Sequence, residues 1–130
     1  MNIKKEFTAL AQRKNLSYRY QEFKNCFGGH WLVWTYSLYN DSGCFTVSYL
    51  PQREELDFYY AEKFSTNRKE LCVKSINVFE VEQEIWKKNK KFWIFNNPFF
   101  YCSPKRIIKA LIEVINSLIE KNNEFFGIKL

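Results

Sequence analysis

The sequence predicts a single α+β domain spanning residues 1–130, with an antiparallel sheet of about five strands and N-terminal, middle and C-terminal helices packed mainly on one face. Three observations predict it. The apolar period is near 3.6 residues at both ends of the chain and near two between Leu16 and Tyr60. Strong turn signals, Gly28-Gly29 and Asn40-Asp41-Ser42-Gly43, separate the segments of period two. Aromatic residues make up 19% of the 130 residues, and aromatics favour half-buried pleated surfaces.

At the N-terminus Ile3, Phe7, Leu10 and Ala11 recur at helical spacing, which predicts an amphipathic helix over about 3–14, ended near Asn15. Leu16, Tyr18 and Tyr20 then alternate with Ser17, Arg19 and Gln21 as a strand. Residues 25–30 read as a turn. Residues 30–50 are the best hairpin in the chain: His30 to Tyr39 is dense in β-formers, and Phe45, Val47 and Tyr49 alternate on the far side of the turn. Pro51 stops the second arm, because it has no N–H to donate to a ladder. Residues 56–64 and 71–76 are further strands, joined by a polar turn at Ser65-Thr66-Asn67-Arg68.

A middle helix is predicted from Asn77, where Glu80 completes a capping-box-like pair. Glu80, Glu82 and Glu84 suit the positive end of its dipole, and Lys87, Lys88, Lys90 and Lys91 the negative end. Phe92 to Phe95 is a short apolar run, ended by Asn96-Asn97-Pro98. Ser103-Pro104 is the cleanest helix start, a capping residue followed by proline at the first helical position. Ile107, Ile108, Leu111, Ile112, Ile115, Leu118 and Ile119 make its apolar stripe, and Asn122-Asn123 should fray it. The tail Phe125 to Leu130 is apolar enough to fold back onto the body.

The composition narrows the function classes. No apolar run approaches the ~20 residues needed to span a bilayer, and no apolar segment follows the N-terminal lysines as in an export signal, so a cytoplasmic protein without membrane association is expected. Cys26, Cys44, Cys72 and Cys102 are widely spaced and read as reduced, packed thiols, neither a disulfide framework nor a metal site. No cofactor is expected. The lone histidine, His30, has no nucleophile or carboxylate at recognisable spacing, and no catalytic residue is assigned. Gly28-Gly29 lacks the surrounding pattern of a phosphate loop and reads as a plain turn. Glu54, Glu55 and Asp57 read as a solvated acidic cluster rather than a hydrolytic pair.

Binding material is abundant by contrast. Lys87, Lys88, Lys90 and Lys91 beside Trp86 and Trp93 form the sharpest candidate patch, with a solvated helix end as the competing reading. Consecutive Phe58-Tyr59-Tyr60 must place an aromatic on each face of a strand, and Tyr59 joins the partner-binding set. The net charge of +6 favours an anionic partner.

A short, α+β, aromatic-rich chain, heavy in Asn and Lys and without catalytic residues, resembles the small cytosolic immunity proteins of bacterial polymorphic-toxin and contact-dependent growth inhibition systems. The resemblance implies a non-catalytic inhibitor, not an enzyme, that binds and blocks a cognate toxin. Family members that neutralise nucleases are often acidic. This chain is basic, so the resemblance implies a toxin with an acidic surface. The alternative function is a small basic nucleic-acid-binding accessory protein that uses the lysine patch.

Overall fold

A computed structural model describes residues 3–76 and 104–130 of the chain. Helix α1 spans Ile3–Arg13. Strands β1 (Ser17–Cys26), β2 (Trp31–Asn40), β3 (Gly43–Leu50) and β4 (Glu55–Ala61) follow. Then come a one-turn helix α2 (Arg68–Leu71) and a short strand β5 (Lys74–Ser75). Helix α3 spans Pro104–Asn122, and β6 (Glu124–Phe125) and β7 (Ile128–Lys129) close the chain. The predicted α+β class and five-stranded antiparallel sheet are present, in the order β1-β2-β3-β4-β5.

Local chemistry explains where the elements stop. Helix α1 ends at Asn15, whose φ of 54° is left-handed, and the Leu16 N–H reaches back to the Ala11 carbonyl at 2.9 Å. That six-to-one bond is the Schellman closure, which asparagine tolerates better than most residues. The β2–β3 turn uses its own side chains: the Ser42 N–H donates to Asn40 Oδ1 at 2.8 Å. Past α3, Asn123 (φ 55°) makes the corresponding left-handed exit. Phe126 (φ 42°) and Gly127 (φ 91°) then form the tight turn between β6 and β7.

The strands divide the sheet into two unlike faces. Even-numbered residues of β2, of β4 and of β1 as far as Glu22, and odd-numbered residues of β3, point toward α1 and α3, as the register pairs Tyr20 with Tyr36, Tyr36 with Val47, and Val47 with Phe58. This face carries the main core. Phe7 of α1 stacks on Tyr18 and Tyr36, each at 6.0 Å between ring centroids. Phe45 stacks on Phe58 and Phe126 and meets the edge of Phe125. Ile108, Leu111 and Ile115 of α3 are fully buried in the same cluster, and Lys109, Glu113 and Glu120 face solvent. The apolar tail folds back as expected: Phe125 and Ile128 are buried, and the Lys129 N–H and carbonyl are held by Ser42 Oγ and Asn40 Nδ2 at 2.8 and 2.7 Å.

The centre of the opposite face is built of small polar side chains. Thr35, Ser37, Thr46 and Ser48 are all buried there, and Ser37 and Thr46 share a hydrogen bond of 2.8 Å across β2 and β3. The chain from 62 to 73 crosses this face as a strap. Phe64 stacks on Tyr39 of β2 at 4.5 Å, and the Ser65 carbonyl accepts a hydrogen bond from Gln21 Nε2 of β1. The strap then turns back, and Leu71 is buried with Cys44 and Ala61.

The strap corrects two sequence expectations. Residues 65–68 are not only a turn: Asn67 caps α2, its side chain accepting from the Lys69 N–H at 3.0 Å. Residues 71–76 are not one strand, because Leu71 closes α2, Val73 is exposed and only Lys74 and Ser75 pair with β4. Strand β4 accordingly ends at Ala61 rather than Phe64. Helices α1 and α3 pack on the aromatic face as expected, and the one-turn α2 lies on the polar face. The predicted middle helix from Asn77, the run Phe92 to Phe95 and the Ser103 cap lie outside the described residues.

Candidate functional site

The β1–β2 connection begins with an irregularity. Phe23 pairs with Val33 and Cys26 with Trp31, so β1 carries one residue more than β2 between these pairs, with Asn25 at φ 54° in the bulge. The turn that follows is left-handed at Phe27 (φ 55°) and Gly28 (φ 72°). Glycine adopts that backbone freely, but a bulky residue pays ~1–2 kcal/mol for it. The distortion leaves the Phe27 side chain 63% exposed, among the largest apolar exposures of the described residues.

The base of this turn is packed and hydrogen-bonded. Cys26 is buried with Val33 and Leu50, and Phe23 and Trp31 pack against them. Gln52, just past Pro51, grips the start of β2 by its amide: Oε1 accepts from the Leu32 N–H at 2.7 Å and Nε2 donates to the His30 carbonyl at 2.8 Å. His30 itself is exposed, and the structure holds it through its backbone. Arg53 lies over the Trp31 ring at 5.5 Å.

The strap supplies the other wall. Where it passes β1, Thr66, Asn67, Arg68 and Lys69 face the β1–β2 turn across an open cleft of about 620 Å³. Arg68 spans the two walls, its guanidinium 4.7 Å from the Phe27 ring centre. A cation over an aromatic face at an exposed site is worth ~0.5–1 kcal/mol. Lys24 and Lys69 complete a set of three cations, and none of the ten lining residues is acidic. The two acids that adjoin lining residues in sequence have other partners: Glu22 accepts from the Tyr20 hydroxyl at 2.6 Å and Glu70 from Ser65 Oγ at 2.7 Å.

Beneath the strap the register lines up Gln21, Thr35, Ser48 and Asp57 across four strands, with Arg19, Ser37, Thr46 and Tyr59 in the next row. Thr35 Oγ1 is buried without a partner among the described residues. Burial raises the Asp57 carboxyl above its ordinary value, and the Glu55 charge adds to the shift. Burial likewise pushes the Cys72 thiol up to about 11, against the opposing pull of Arg68. A thiol so poorly ionised near neutrality is a weak nucleophile. Cys26 and Cys44 are also free thiols, and Cys44 sits 3.6 Å from Thr46 Oγ1.

Asp57 gives a pH prediction. Its folded-state pKa is raised, so the folded protein holds the proton more tightly than the unfolded chain. The group therefore weakens the fold as pH rises from the ordinary carboxylate value through the raised one. Asp57→Asn should remove this loss and leave the protein more stable than wild type at neutral pH. Urea midpoints for both proteins between acid and neutral pH check the sign.

The structure places the sequence candidates unevenly. Tyr59 lies on the polar face between Thr46 and Ser75, half-buried, with its hydroxyl pKa raised first by burial and then by Asp57. It does not line the cleft, although Arg68 is near enough to oppose the upward shift of its hydroxyl. Lys87, Lys88, Lys90, Lys91, Trp86 and Trp93 lie outside the described residues. Of the predicted solvated acidic cluster, Glu54 and Glu55 are exposed and Arg53 pairs with Glu55 at 3.7 Å, but Asp57 is half-buried within β4. Sequence reasoning missed Phe27, Arg68, Lys24 and Lys69. The available signal was a phenylalanine directly before Gly28-Gly29, a large apolar residue where turn chemistry favours small or polar ones.

Among the described residues no group of three or more His, Cys, Asp or Glu side chains is placed to hold a metal ion, and no helix is long and apolar enough to cross a membrane. Comparison with family models, with curated proteins and with solved structures finds no match.

Proposed function

We propose that this protein is a non-catalytic inhibitor that binds and blocks a partner protein with an acidic surface, in the manner of an immunity protein acting on its cognate toxin. The observation that supports this reading is the cleft at the β1–β2 turn, where an exposed Phe27 is framed by Lys24, Arg68 and Lys69 with no acid in the lining. Aromatic and arginine side chains dominate the binding energy of protein interfaces, and surrounding cations steer an acidic partner to them. The net charge of +6 acts in the same direction at longer range. Lys87, Lys88, Lys90 and Lys91, with Trp86 and Trp93, are proposed as a second basic contact surface on the strength of the sequence.

A nucleic acid is the rival partner for so basic a chain. Salt separates the two. Binding to a phosphate backbone weakens steeply and linearly with the logarithm of salt, through counterion release. Affinity capture from the native host should yield a protein, and adding purified inhibitor at one equivalent should abolish that protein's activity. Capture of nucleic acid alone, with a steep salt slope, would establish the accessory-protein reading instead.

A further inference from the structure

We propose that the cleft between the β1–β2 turn and the strap takes an acidic loop of the partner protein, with one apolar side chain of that loop seated on Phe27. This rests on the reading that the protein works by binding another protein. It adds the contact surface and the chemistry of the segment that fills it.

Two independent features point to this occupant. The first is charge. The cleft gathers Lys24, Arg68 and Lys69 and no carboxylate, although the whole chain carries 14 acidic residues that could have balanced them. Glu70, one position beyond Lys69, is held away by Ser65. The second is the backbone. Phe27 stands in a left-handed conformation that Gly28 and Gly29 next door would adopt without strain, and its ring meets solvent rather than the core. Strain retained at an exposed aromatic marks function more readily than stability. Buried clusters anchor each wall to the sheet, Cys26 with Val33 and Leu50 on one side and Leu71 with Cys44 and Ala61 on the other.

The geometry also favours a polypeptide over a nucleic acid. Base stacking uses successive aromatic platforms along a strand, and this cleft offers one exposed ring. A carboxylate entering beside Phe27 meets Arg68, whose planar fork can take both oxygens at once.

The test uses the full-length protein and two probes: a short peptide of alternating glutamate and aspartate with one central leucine, and oligothymidine of equal charge. Amide chemical shifts of the labelled protein report the site, and fluorescence anisotropy the affinity. The peptide should perturb residues 23–28 and 66–69 saturably and bind more tightly than the oligonucleotide. Arg68→Glu with Lys69→Glu should weaken it by about tenfold or more, as expected on losing a charge-assisted bond. Phe27→Gly should weaken it while leaving the melting temperature unchanged or raised, because glycine relieves the left-handed strain. The same peptide with alanine in place of leucine should bind less tightly. Absence of saturable peptide binding, perturbation confined to other surfaces, full affinity in Phe27→Gly, or tighter binding of oligothymidine at the same residues would each overturn the proposal. Full neutralisation of the captured partner by the Arg68→Glu, Lys69→Glu protein would sink this assignment alone. Peptide docking without any effect on the partner's activity would sink the inhibitor reading and leave the cleft assignment standing.

Discussion

Phe45→Ala should lower the stability of the protein by about 3–5 kcal/mol, the range for truncating a buried phenylalanine. Phe45 is fully buried on β3 and joins two parts of the core that are far apart in sequence. Its ring stacks on Phe58 of β4 at 6.3 Å and on Phe126 of the C-terminal turn at 5.1 Å, with Phe125 edge-on at 6.0 Å. The wall around the vacated ring is held by sheet backbone on one side and by the β6–β7 hairpin on the other, so it has little freedom to collapse. The free energy from chemical denaturation measures the effect. A cost below ~1 kcal/mol would mean that the tail does not pack on the sheet as described.

Leu111→Ala should cost about 2–5 kcal/mol. Leu111 is fully buried at the middle of α3, within the cluster shared by α1 and the aromatic face of the sheet. The helix has little propensity to spare for holding itself in place, since its buried stripe includes the β-branched Ile107, Ile108, Ile112, Val114, Ile115 and Ile119. Its stability comes from docking. A shift in the urea midpoint within the ±0.5 kcal/mol typical of surface sites would show that the stripe faces solvent.

The elements that were legible in the sequence are those whose pattern and punctuation agree. The β2–β3 hairpin combines alternating aromatics with a four-residue polar turn, and the register from Asn40 and Gly43 back to Trp34 and Tyr49 follows from that turn. Helix α3 has a broad stripe and a clean proline start. The strap was not legible because two local signals compete there. Leu71 and Val73 alternate as in a strand, but Asn67 offers a side-chain cap to the turn of helix that begins at Arg68, and the cap prevails locally. The cleft was hidden for a different reason. Phe27 and Arg68 belong to separate segments, and only the return of the strap across the sheet brings guanidinium and ring to 4.7 Å. Neither segment alone has the interleaved basic and aromatic composition that drew attention to Trp86 through Trp93.

The contrast between the two faces of the sheet has a consequence for how the chain finds one structure. Sliding β3 by a single position against its neighbours would exchange Phe45, Val47 and Tyr49 for Cys44, Thr46 and Ser48. Hydroxyl groups would then meet α1 and α3 with no partners, and three bulky side chains would be forced in where Cys44, Thr46 and Ser48 are now buried. A sheet greasy on both sides would tolerate such a slip at little cost. Here every misaligned pairing is penalised twice, once on each face, so the row of threonines and serines serves as a proofreading device for strand alignment while adding little cohesion of its own.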